Sequence, residues 1–161
     1  ISVSCMNKLL IERTITKCSE ALNIAKPDVE LHEFDNDENS AMFIPSNYSI
    51  VVNSLLLDST NPIEIFITIC HEMRHAYQFY RVNNDKVTND NKGLIQKWKE
   101  EFDNYCYPQD ERFLEQEIEI DAIAFAHFMT LKYLGERTVI PESIKEKVYL
   151  RIQQITETLE G

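Results

Sequence analysis

His71 and His75 stand four residues apart in ICHEMRHAYQ (69–78), and Glu72 directly follows the first of them. On an α-helix, residues four apart share a face, with Cβ atoms about 5–6 Å from each other. Both imidazoles can then turn a nitrogen toward one ion, and zinc takes such nitrogens at about 2.0–2.1 Å. Glu72 is rotated by about 100° from His71, so it does not compete as a ligand but can reach a water at the ion. That is the H-E-x-x-H arrangement, two ligands and a general base. The bland alternative is a helix carrying two satisfied histidines. The flanks Ile67, Ile69, Ala76 and Phe79 are apolar, so the pair is expected to be partly buried, where histidines without a partner are costly.

A catalytic zinc uses three protein ligands and keeps one position open. The other histidines are His32 and His127, and the position six after His75 is Arg81. The third ligand is therefore expected to be a carboxylate on another element. EQEIEIDAIAFA (115–126) offers Glu117 and Asp121, which share a helix face that continues as Ala124 and Phe128. Two carboxylates on an otherwise apolar face need compensation, because burying unpaired charge is expensive. Zinc for one, and a hydrogen bond to a ligand histidine for the other, would supply it. Glu115 and Glu119 fall on a different side and read as solvent-facing, with Glu119 as the reserve for third ligand. His127, Tyr77, Tyr105, Tyr107 and Arg112 are available to hold an oxyanion. His127 lies nearly three turns past Glu117 and reads as a core or surface histidine.

The elements that must position these residues follow from periodicity and caps. Residues 4–22 read as an amphipathic helix, 29–34 as a short strand, and EFDNDENS (33–40) as an acidic, solvated loop. Residues 41–57 suggest one or two strands turning at Pro45-Ser46-Asn47, with Ile50-Val51-Val52 the clearest strand signal. Asn61 can cap the helix expected over about 62–80, with Pro62 at its first position and Glu64 completing a capping box. A polar loop (83–92) precedes a helix over 93–106. A long helix is expected over 110–134, stopped by Gly135, and a last amphipathic helix follows Pro141. The fold class is α+β, one domain over 1–161, with a small antiparallel or mixed sheet, expected as a meander, covered by helices on one face.

Composition narrows the function classes. The formal net charge of −11 disfavours phosphate backbones and anionic membrane surfaces, so no nucleic-acid or membrane partner is expected. No apolar run is long enough to span a bilayer. The N-terminal stretch lacks the apolar core of a signal peptide. Cys5, Cys18, Cys70 and Cys106 contain no C-x-x-C pair, so reduced, mostly buried thiols in a cytoplasmic protein are expected, with secretion after processing left open.

His71-Glu72-Met73-Arg74-His75 and Glu117-Ile118-Glu119-Ile120-Asp121-Ala122 together resemble the H-E-x-x-H helix and the downstream glutamate helix, E-x-x-x-D/N-A, of gluzincin metallopeptidases. The resemblance implies a minimal zincin core, with Glu117 as the zinc ligand and Asp121 supporting a ligand histidine. The element order, with YSIVVNSLLL leading into the motif helix, is closest to the small ImmA/IrrE-type peptidases. Arg74 departs from that family, which usually has glycine there. The expected activity is peptide-bond hydrolysis by a zinc-activated water with Glu72 as general base. The expected partner is a specific protein or peptide, lying along the sheet edge as in related peptidases. The alternative is a non-catalytic zinc-binding protein that uses the same scaffold to grip a partner.

Overall fold

The computed structural model describes residues 1–34, 40–85 and 92–161. These form five α-helices: α1 (Val3–Leu22), α2 (Pro62–Asn84), α3 (Lys92–Asp103), α4 (Glu117–Leu134) and α5 (Lys145–Glu160). Three strands lie between α1 and α2: β1 (Asp28–His32), β2 (Ala41–Ile44) and β3 (Ser49–Asn53). The fold is α+β and mostly helical. Among the described residues, no helix is long and apolar enough to cross a membrane.

The sheet is mixed, with order β1-β3-β2. β1 pairs in parallel with β3, from Asp28↔Ser49 to His32↔Asn53. β2 pairs antiparallel with β3, from Ala41↔Val52 to Ile44↔Ser49. This corrects the expected meander, because β1 and β2 are not neighbours. The central place of β3 explains its composition: Ile50 and Val52 are fully buried, and such strands favour β-branched residues. β1 is exposed along its whole length, and β2 forms the other edge.

The motif helix starts as its caps require. Asn61 Oδ1 accepts from the Glu64 N–H at 3.4 Å, and Pro62 takes the first helical position. The reciprocal bond of the cap comes from Ser59, whose hydroxyl accepts from the Asn61 N–H at 3.1 Å, not from Glu64. α2 then runs beyond the expected end near 80, to Asn84. It packs against α1 on one side and α4 on the other, and α5 covers α4. Ile65, Ile69, Met73 and Ala76 of α2 meet Phe125 and Met129 of α4 in the main core.

The long helix expected over 110–134 is shorter. Residues 108–112 are turns and a bend, a 3-10 turn covers Phe113–Glu115, and Gln116 is extended with ψ 135°. The reason is a cap supplied from another helix. The Glu101 carboxylate of α3 accepts the Glu117 and Ile118 N–H groups at 2.9 and 3.0 Å. A carboxylate at these first orphan amides also meets the positive end of the helix dipole. α3 itself ends at Asp103 rather than 106. The acidic loop expected at 33–40 and the polar loop at 83–92 fall largely on residues 35–39 and 86–91, outside the described residues.

Candidate metal centre

α2 and α4 cross so that His71, His75 and Glu119 converge, their ligand atoms all within 4.8 Å of one another. Glu119 bridges the pair: Oε1 lies 3.0 Å from His71 Nε2, and Oε2 lies 3.0 Å from His75 Nε2. Ligand atoms around a tetrahedral zinc stand about 3.3 Å apart when the bonds are about 2.0 Å. The donor set, two imidazole nitrogens and one carboxylate oxygen within 4.8 Å of one another, is one that could hold a metal ion. The electrostatics favour positive charge at this point. Burial alone would depress the His75 pKa, but the Glu119 carboxylate overrides it and holds the imidazole at about 10. Burial would raise the Glu119 pKa, but His75 and His71 hold it well below the usual carboxylate range.

The third member of the cluster is thus Glu119, read as solvent-facing and held in reserve as third ligand, and not Glu117. The Glu119 side chain is 1% exposed. Glu117 is one-third exposed and pairs with Arg151 of α5 at 3.1 Å. Two causes account for the reversal. Glu115 is not on α4 at all, so it cannot be used to assign a face to Glu119. α4 is also buried almost all round from Ile118 to Thr130, so its apolar pattern marks no single inward side.

Asp121 is equally displaced from its expected place. It makes a two-bond pair with Arg74, Oδ2 to Nε at 2.7 Å and Oδ1 to the guanidinium at 3.1 Å, and both residues are buried. No bond joins Asp121 to either histidine among the described residues. Gln78 stands between them. Its amide nitrogen donates to Asp121 Oδ2 at 2.7 Å and to the Ile118 carbonyl at 3.0 Å, and its oxygen lies 2.9 Å from His75 Nδ1. Arg74, which departs from the resembled family, is what engages Asp121. The signal for Gln78 was its spacing, three residues after His75 and so on the same side of α2.

Glu72 is where the motif places it, beside the cluster and 8% exposed. Burial raises its pKa, opposed by His75 and His71 and by a bond from the Phe43 N–H of β2. Its Oε2 is buried with no hydrogen-bond partner among the described residues. His71, Glu72, His75 and Glu119 form the floor of an open cavity of about 640 Å³. One wall is β2 with its flanking residues Ser40 and Pro45; the other carries Phe102, Tyr105, Tyr107 and Phe113. The Tyr105 hydroxyl donates to Glu119 Oε2 at 3.0 Å, and burial together with that carboxylate raises its pKa. Of the residues considered for an oxyanion, Tyr105 and Tyr107 line this cavity. His127 instead bonds Thr138, Arg112 pairs with Asp110, and Tyr77 meets Arg81.

Comparisons with protein-family models, with curated proteins and with solved structures found no match.

Proposed function

We propose that the protein is a zinc-dependent peptidase, with His71, His75 and Glu119 as ligands and Glu72 as general base. One observation carries the reading: three ligand atoms converge at the floor of an open cavity, beside a buried carboxylate oxygen that has no partner. A purely structural zinc has no use for such a base. The arrangement, H-E-x-x-H plus a glutamate from a later helix, is that of the gluzincins. The order of helix, small sheet and motif helix supports a likeness to the small ImmA/IrrE-type enzymes. The residue four after Glu119 is Ile123, so the E-x-x-x-D part of the resemblance does not carry over to the ligand.

A zinc ion held by His71, His75 and Glu119 would supply Lewis acidity, lowering the pKa of a water and polarising a carbonyl. Glu72 takes the proton of the attacking water and returns it to the leaving amine. The outer edge of β2 pairs with no strand among the described residues, and it runs along the cavity. An extended peptide can add there as a strand and bring its backbone to the floor. Tyr105 and Tyr107 supply phenol donors on the opposite wall.

Elemental analysis of protein purified without chelators is expected to find one zinc per chain. The zinc-loaded wild type is expected to cleave members of an unbiased peptide library. Zinc uptake without cleavage would favour the partner-gripping protein instead. No uptake under zinc-replete conditions would remove the site.

A further inference from the structure

We infer that Gln78 is a positioning residue that presents the Nε2 lone pair of His75 to the metal. The inference rests on the metal-site reading above and adds a residue that H-E-x-x-H does not contain. Gln78 is completely buried, so each of its polar atoms must find a partner within the protein. Its amide nitrogen faces two acceptors that cannot donate, the Ile118 carbonyl at 3.0 Å and the Asp121 carboxylate at 2.7 Å. An amide turned the other way would set its oxygen against both of them. The side chain is therefore locked with Oε1 toward His75 Nδ1, at 2.9 Å. An amide oxygen only accepts, so Nδ1 carries the proton. In the neutral ring the lone pair is then on Nε2, the nitrogen 3.0 Å from Glu119. Asp121 is in turn held by Arg74 through two bonds. The chain Arg74–Asp121–Gln78–His75 thus does through a neutral amide what a carboxylate on the histidine does elsewhere. An amide orients the ring without adding a second negative charge beside it.

The test uses the full chain and zinc alone. Gln78→Met keeps the length of the side chain and removes both the acceptor and the donor. It is expected to lose zinc affinity by about 10–100-fold in a chelator competition, with the helical circular dichroism unchanged. Nitrogen-15 NMR of the wild type reads the ring directly, whether or not the variant folds. His75 is expected to show a slowly exchanging Nδ1–H and, with zinc present, the metal on Nε2. Unchanged zinc affinity in a folded Gln78→Met would overturn the inference. So would zinc on Nδ1, or an unprotonated Nδ1 in the wild type. A wild type that takes up no zinc defeats the metal site itself; a His75 Nδ1–H that exchanges as fast in the wild type as in folded Gln78→Met would then overturn the part given to Gln78.

Discussion

His75 and His71 share one face of α2, yet their surroundings differ. The His75 side chain is 10% exposed and backed by Gln78, Asp121 and Arg74, a buried polar chain tying α2 to α4. The His71 side chain is 25% exposed and turns toward the cavity between β2 and the Tyr105 wall. Fully satisfied buried networks rigidify what they touch, whereas an open wall admits solvent and ligand. The difference teaches that the site has a fixed back and an accessible front. Tight geometry at the back holds His75 in place. At the front, Glu72 lies between the two histidines in sequence and hydrogen-bonds the edge strand through Phe43. On the proposed reading, that places the general base where an extended peptide would arrive.

The comparison can be broken most severely at the front. Glu72→Gln is nearly isosteric and cannot accept a proton. Peptide cleavage is expected to fall by about 10²–10⁴-fold, while zinc content, read by elemental analysis, stays at the wild-type level. Equal cleavage rates for the two proteins would dismiss Glu72 as the base.

At the back, the largest effect is expected on stability. Asp121→Ala strands the buried Arg74 guanidinium without its carboxylate, and breaking such a pair costs about 3–5 kcal/mol. Urea denaturation followed by circular dichroism measures it. A loss below about 1 kcal/mol would mean that Arg74 reaches solvent and that the network is not a rigid support.

The two glutamates of α4 sharpen the contrast further. Glu119→Gln removes the only anionic member of the cluster and is expected to weaken zinc retention by more than about 100-fold, beyond the usual effect of a supporting residue. Glu117→Gln breaks a partly exposed pair with Arg151. It is expected to leave zinc retention unchanged and to shift stability by about 1 kcal/mol or less. The opposite ranking in one chelator titration would return Glu117 to the role that the E-x-x-x-D pattern suggested.

Among the residues that touch the cluster, the smallest effect is expected at Tyr105. Tyr105→Phe removes the bond to Glu119 Oε2 but keeps the aromatic wall. Zinc affinity is expected to fall by about 5–10-fold, the equivalent of one hydrogen bond of about 1–1.5 kcal/mol. A far larger loss of cleavage than of zinc affinity would show that the phenol also acts on the reacting carbonyl.

Much of this molecule could be read in one dimension. Asn61, Pro62 and the apolar spacing through Ala76 define α2, and four-residue spacing alone puts His71 and His75 side by side, because both are local properties of a helix. The run Ile50-Val51-Val52 marks a buried strand for the same kind of reason. What pairs with that strand was not legible: parallel pairing of β1 with β3 depends on contacts between distant segments, which no local pattern encodes. The carboxylate that completes the cluster, held only in reserve from the sequence, escaped in the same way. Glu117 and Glu119 are two residues apart on a helix that is buried on nearly every side, so periodicity could not say which one faces α2. The start of α4 was set by Glu101 reaching across from α3, and the use of Asp121 was set by Arg74 on α2. The sequence by itself determined the histidine pair, its adjacent base and the helix that carries them. Only the crossing of α2 with α4 decided which carboxylate completes the cluster, because charge and burial at that point depend on what the neighbouring helices bring to it.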